Sequence, residues 1–196
     1  MAESNHLFPI FLKLEELNLL IVGGGNVALE KLNAVLSNSP KTNIRLVARE
    51  ISDSIKTLVA GRTNIELLEQ EYQSPHLENI HLVIAAVNDV SLAEQILNDA
   101  HHRNLLVNVA DKPSLCDFYL SSVVQKGNLK LAISTNGKSP TIAKRLREIF
   151  SELLPEEIDE VLDNMQQIRN TLKGDFAEKV ARLNEMTKTF LAGKQQ

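Results

Sequence analysis

Three groups of residues have the types and spacing to do chemistry. The first is Leu19-Leu20-Ile21-Val22-Gly23-Gly24-Gly25-Asn26-Val27-Ala28, an apolar run, three glycines and the start of a helical pattern. Within it lies G-x-G-x-x-A, formed by Gly23, Gly25 and Ala28. A turn of this kind places backbone N–H groups and a helix N-terminus around a phosphate-sized anion. Gly23 permits the tight turn, Gly25 lets the backbone approach a pyrophosphate, and Ala28 allows close packing of helix on strand. The expected ligand is a dinucleotide, and the expected chemistry is redox. An acidic residue at the end of the second strand would bind the adenosine ribose. That strand ends Leu46-Val47-Ala48, followed by Arg49 and Glu50. Glu50 is slightly late for the ribose, and Arg49 could face a 2′-phosphate or the adenine ring. The residues alone leave NAD and NADP both open.

The second group is Asn108-Val109-Ala110-Asp111, at the carboxyl end of the last expected strand. Ligands of open α/β sheets bind at that edge. A carboxylate there can serve as a general acid or base. An aspartate before Pro113 also suits a plain turn. The third group is Ser134-Thr135-Asn136-Gly137-Lys138-Ser139-Pro140, a polar loop leading into a helix. Its hydroxyls, amides and helix N-terminus could hold a carboxylate. Lys138, Lys144, Arg145 and Arg147 add local positive charge, which suits a small anionic ligand or simply a solvated helix face. Metal chemistry finds little support. His101 and His102 are adjacent, about 100° apart on a helix, and no C-x-x-C or H-E-x-x-H occurs. No resident metal is expected.

The elements that must position these residues follow from periodicity. The apolar run at 17–22 reads as a strand buried on both faces and 82–87 as a strong buried strand, with further strands at 44–48 and 105–109 and a weaker one at 65–69. Helical spacing falls between them, with Ala28, Leu32, Val35 and Leu36 on one face of the first helix and Leu92, Ile96 and Leu97 on that of residues 91–101. The alternation predicts an α/β, Rossmann-type doubly wound parallel sheet. The pattern changes near Pro113. Residues 118–124 and 129–134, with Lys126-Gly127-Asn128 between them, read as a hairpin. Ser139 suits an N-cap and Pro140 the first helical position. Three helices follow. Their expected inner faces carry Ile142, Leu146, Ile149 and Phe150, then Ile158, Val161, Leu162, Met165, Ile168 and Leu172, then Phe176, Val180, Leu183, Met186 and Phe190, with Gly174 ending the second. The expected organisation is a nucleotide-binding domain over 1–112, a small dimerisation and connector region over 113–150, and a helical lobe over 151–196.

Composition narrows the class. Hydrophobic residues make up 43% of the 196, enough for a real core, which argues against disorder. Aromatics at 4%, no Trp and a net charge of -4 argue against nucleic acid as a partner. The lone Cys116 cannot form an internal disulfide and fits a reducing, cytoplasmic setting. No apolar run approaches a membrane span, and no signal peptide is expected.

Taken with their order, these motifs resemble the precorrin-2 dehydrogenase family, the siroheme synthase N-terminal type, some members of which are also sirohydrochlorin ferrochelatases. Leu7-Phe8-Pro9-Ile10-Phe11-Leu12 is similar to the family's opening strand, and Ile21 to Ala28 to its nucleotide turn. Ala85-Ala86-Val87-Asn88-Asp89 is similar to its fourth-strand end, and Val107-Asn108-Val109-Ala110-Asp111 to its catalytic strand end. Ala132-Ile133-Ser134-Thr135-Asn136-Gly137-Lys138-Ser139-Pro140 resembles its most distinctive loop. The last two motifs are the specific ones.

The resemblance implies NAD-dependent oxidation of precorrin-2 to sirohydrochlorin by a homodimer, and it leaves open the Fe(II) insertion that only some members carry out. It implies Asp111 as the essential carboxylate. It implies NAD contacts at Gly23, Gly25, Asn26, Val27, Arg49, Glu50 and Val87, and tetrapyrrole contacts at Asn108, Ser134, Thr135, Lys138 and Ser139. The family tolerates a missing ribose acid. Ser121 stands where the family often has proline. A methyltransferase domain carried by some relatives is not expected here, so another protein would make precorrin-2. Rival readings are a regulatory module that senses NAD(P) without catalysis, which needs neither Asp111 nor an anion pocket, and a helical interaction protein whose C-terminal lobe binds a partner.

Overall fold

The computed structural model describes residues 4–172 and 175–192. They fall into two compact units, one of residues 6–120 and the other, in the main, of residues from 121 onward.

The first unit is built on five strands: β1 (Asn18–Val22), β2 (Asn43–Ala48), β3 (Ile65–Glu69), β4 (Leu82–Ala85) and β5 (Leu106–Val109). Their order is β3-β2-β1-β4-β5, and every pairing is parallel. Helices α1 (Asn26–Asn38), α2 (Asp53–Val59) and α3 (Val90–His101) make the crossovers. The apolar run of β1 is continuous because both its faces are covered. Leu19 and Ile21 meet Leu32, Val35 and Leu36 of α1 and Ile55 of α2. Leu20 and Val22 meet Ala93, Ile96 and Ala100 of α3 on the other face. With a strand period of two, one run of residues therefore feeds two cores. Leu20 is fully buried, so Leu20→Ala would cost roughly 2–5 kcal/mol.

Residues 7–12, expected as an opening strand, take no place in the sheet. Phe8 and Phe11 stand exposed there, and Pro9 lacks the N–H a ladder requires. The expected strand over 118–124 also begins later, at Ser122. The Asp117 N–H donates to the Val107 carbonyl, and the Phe118 carbonyl accepts from Asn108, so both are tied to β5.

The second unit holds the antiparallel hairpin of β6 (Ser122–Lys126) and β7 (Leu129–Ile133). Gly127 adopts φ +53 at its turn. Asp159 caps that turn, accepting from Asn128 N at 2.7 Å and Asn128 Nδ2 at 3.0 Å. Helix α4 (Pro140–Leu153) starts as its sequence signals require, with Ser139 Oγ accepting from Ile142 N. Helices α5 (Ile158–Thr171) and α6 (Phe176–Ala192) follow. Gly174 lies outside the described residues, as does the Phe190 side chain. Several apolar residues expected inside are exposed: Ile142 by 53%, Ile149 by 49%, Phe176 by 83% and Met186 by 51%. A two-stranded hairpin with one helix layer cannot cover more than one face of each helix. Among the described residues no helix is long and apolar enough to cross a membrane.

Candidate functional site

The chain leaves β1 through three glycines with three different constraints. Gly23 has φ +130, and a Cβ there would lie 2.2 Å from the Ala86 carbonyl oxygen on the neighbouring strand connection. Gly24 is tighter. Its Cβ would lie 1.9 Å from the Glu50 carbonyl oxygen, and its own carbonyl accepts from Ser52 N. These two glycines let the ends of β1, β2 and β4 converge. Gly25 differs, because a Cβ there would meet nothing within 4 Å.

Gly25 is the N-cap of α1 and supplies no side-chain acceptor, and the first turn of α1 holds no acidic residue. The first N–H groups and the positive end of the helix dipole are therefore not answered by side chains of the helix start. An open approach at Gly25 with unspent donors behind it fits a pyrophosphate.

A cleft of about 510 Å³ opens in front of this turn, and Gly23, Gly24, Arg49, Glu50, Glu71 and Val87 are among its lining. It sits where the chain order reverses, between β1 and β4, which is where open α/β sheets bind ligands. Of the residues expected at a cofactor, Gly23, Arg49, Glu50 and Val87 line it; Gly25, Asn26 and Val27 do not. Arg49 Nε lies 3.0 Å from Glu71 Oε1. Tyr72, beside Glu71, is buried, and its hydroxyl donates to Asp99 Oδ2 at 3.2 Å. Burial and the Asp99 charge push that phenol well above its usual range. Asp89 also lines the cleft, but its Oδ1 is occupied by Ser91 N and Leu92 N at the start of α3.

Asp111 follows β5, the strand next to β4, and its exposed side chain stands on a backbone with φ +59. Asp tolerates this left-handed conformation better than most residues. Asp111 is not part of the cleft lining. The Asn108 side chain is taken up by the fold, donating to the Phe118 carbonyl at 2.9 Å. Cys116 Sγ donates to the Val109 carbonyl, and burial raises its pKa, so it stays a neutral thiol packed under β5. Lys112 Nζ is buried without a hydrogen-bond partner among the described residues.

The polar loop belongs to the second unit. Thr135 Oγ1 donates to the Ser139 carbonyl and accepts from Ser139 N, both at 3.1 Å. Ser134 Oγ accepts from Asn136 N. Asn136 and Gly137 are both left-handed, at φ +53 and +73. The hydroxyls expected to hold a ligand therefore shape the loop, while Lys138 stays exposed. Among the described residues no group of three or more His, Cys, Asp or Glu could hold a metal ion.

Sequence reading passed over Gly24, Glu71 and Tyr72. The glycine triplet itself signalled the first, since a middle glycine is superfluous to G-x-G-x-x-A. Nothing local to Glu71 and Tyr72 marks them.

A parallel sheet wound on both faces, with a glycine turn at its switch point and an uncapped helix behind it, defines a dinucleotide-binding domain of the Rossmann type. A family model described as "Putative NAD(P)-binding" matches residues 10–122, and the chain belongs to that family. A second model, "Sirohaem biosynthesis protein central", matches residues 126–152. The siroheme synthase of Psychrobacter arcticus is 35% identical over 90% of this chain and 31% of its own length. That of Pseudoalteromonas translucida is 36% identical over 88% of this chain and 34% of its own. The chain thus spans about a third of these relatives. A solved structure titled "SirC, precorrin-2 dehydrogenase" shares the fold with a TM-score of 0.72 at 24% identity, covering 92% of this chain and 89% of that one.

Proposed function

We propose that this protein oxidises precorrin-2 to sirohydrochlorin with NAD. The observation that carries the reading is the open, uncapped α1 N-terminus at the switch-point cleft, followed two strands along the sheet by Asp111. The matches to siroheme synthases and to the sirohaem central model support the substrate class.

In this reading the α1 N-terminus and the glycine turn hold the pyrophosphate, and Arg49 and Glu50 lie on the adenosine side over β2. Val87 at the end of β4 lies on the nicotinamide side, toward β5. Bound NAD supplies the hydride acceptor. Asp111 takes the proton that leaves the macrocycle as the hydride departs; its carboxylate is not engaged by any described residue and is free to do so. Lys138 offsets substrate carboxylates, and the internally bonded 134–140 loop keeps it in place. Asn108 acts from behind, fixing the strand end that presents Asp111. Aromatisation favours the products, so positioning supplies most of the catalysis.

The exposed apolar faces of α4 and α6 support a homodimer, since a single chain leaves Ile142, Ile149 and Met186 in water. Fe(II) insertion is assigned to the same carboxylate, which accepts the two protons the macrocycle loses one at a time and passes each to solvent. The neutral Cys116 thiol suits a reducing cytoplasm.

The test supplies precorrin-2 and NAD and follows sirohydrochlorin absorbance. Asp111→Asn keeps a residue that tolerates the left-handed backbone while removing the base, so kcat should fall at least ~100-fold with cofactor affinity retained. A fully active variant would remove Asp111 from the mechanism. Dinucleotide binding with no turnover by the unaltered protein would favour the sensing module instead. Sirohydrochlorin with Fe(II) tests chelation, and a rate equal to the enzyme-free control would exclude it.

A further inference from the structure

We propose that Glu71 is the residue that sets cofactor choice, rejecting a 2′-phosphorylated dinucleotide by occupying Arg49. The proposal rests on the reading of the switch-point cleft as the cofactor site. Over the end of β2 a free guanidinium would be a natural receptor for a 2′-phosphate, since Arg binds phosphate oxygens in a fixed fork. Arg49 is in that place, but it is not free. Its Nε is 3.0 Å from Glu71 Oε1.

Glu71 comes from the segment after β3, the next strand out, and its position is not left to chance. The neighbouring Tyr72 is only 8% exposed, packs in the core shared by β1, β4 and α3, and hydrogen-bonds Asp99 on α3. Glu71 is thus fixed at the cleft by a buried anchor, although the Arg49 and Glu71 side chains are themselves 80% and 67% exposed.

An ion pair that exposed contributes little to stability. Its consequence lies in the local charge. Arg49, Glu50 and Glu71 all line the cleft, and two carboxylates against one guanidinium leave the three net negative. A ribose 2′-hydroxyl can donate to such a carboxylate, whereas a 2′-phosphate brings about two more negative charges toward it. Discrimination is then built from a repulsive element as well as an attractive one.

The experiment titrates the full chain with NADH and with NADPH, reading cofactor fluorescence, for the unaltered protein, Glu71→Gln, Glu71→Ala and Arg49→Gln/Glu71→Gln, with far-UV circular dichroism confirming the fold of each. The unaltered protein should prefer NADH by at least ~30-fold. Either Glu71 variant should cut that preference about tenfold, mainly by tightening NADPH, and the double variant should lose that tightening because the freed guanidinium is gone. The preference of the unaltered protein should also shrink as salt rises. A merely structural role would weaken both cofactors equally, and that result overturns the proposal. So does equal binding of NADH and NADPH by the unaltered protein, with the cofactor-site reading left standing. Binding of neither dinucleotide overturns the cofactor-site reading, and the proposal with it.

Discussion

The helices α1 and α3 follow the adjacent strands β1 and β4 onto opposite faces of the sheet, and their first turns are opposite in kind. At α3, Asp89 accepts from Ser91 N at 2.8 Å and Leu92 N at 3.2 Å, so the helix satisfies its own end. At α1 the N-cap is Gly25, with no side-chain acceptor and no acidic residue in the first turn. Both junctions line or border one cleft. Gly25 and Asn26 are exposed, so the donors of the α1 end are open to solvent and to an approaching anion. On the proposed function, the open end of α1 is where the ligand's anion sits.

Four experiments break or sharpen this contrast. The largest effect belongs to Gly24→Ala. Its Cβ would sit 1.9 Å from the backbone oxygen of Glu50, which cannot rotate away, so the strand ends must separate. A loss of about 3 kcal/mol is expected in denaturant unfolding. Gly25→Asp comes next, and it makes the α1 end resemble that of α3. Its side chain enters open space and can cap the helix, so thermal stability should hold or rise slightly. Dinucleotide affinity should fall about 100-fold, because the carboxylate takes the donors and repels the pyrophosphate. If affinity survives, the uncapped helix end is not the anion site.

Asp89→Ala removes the cap of α3 and should cost about 1 kcal/mol in thermal unfolding. A dinucleotide effect larger than the stability effect would show that Asp89 serves the ligand and not only the helix. The smallest effect is at the neighbouring β2–α2 connection, where Glu69 accepts from Lys56 Nζ and from Ile51 N. The lysine and that backbone bond hold the Glu69 carboxyl below its usual range. Its contribution is therefore present while unfolded-state glutamate is ionised and is lost as pH falls through the depressed folded value. Acid-unfolding curves of the unaltered protein should be steeper in that window than those of Glu69→Gln.

The sheet and its order of elements were largely legible because they rest on neighbours in sequence. The apolar runs of β1, β2 and β4 carry their own period, Gly23 carries a conformation that few other residues accept, and Ser139 carries a hydroxyl that caps the next helix. Side-chain destinations were less legible. Ser134, Thr135 and Asn108 have the chemistry of ligand contacts, and the structure shows that each makes hydrogen bonds within the fold. Hydrogen-bonding groups look alike on paper whether their partner is a ligand or a backbone carbonyl. The apolar faces of α4 and α6 were read as interior from periodicity, which reports that a face must be covered but not by what.

The amino-acid sequence by itself determined a parallel α/β sheet, a glycine turn after its first strand, a carboxylate beyond its last, and a capped helix after the polar loop. Each follows from local period, backbone freedom or a side chain reaching its own next turn. Only the tertiary structure decided that Gly24 must clear Glu50, that Arg49 meets Glu71, and that open space lies in front of Gly25 at the start of α1. Those facts depend on which strand lies beside which, and strand order is set by the packing of whole faces against each other rather than by any short stretch of chain.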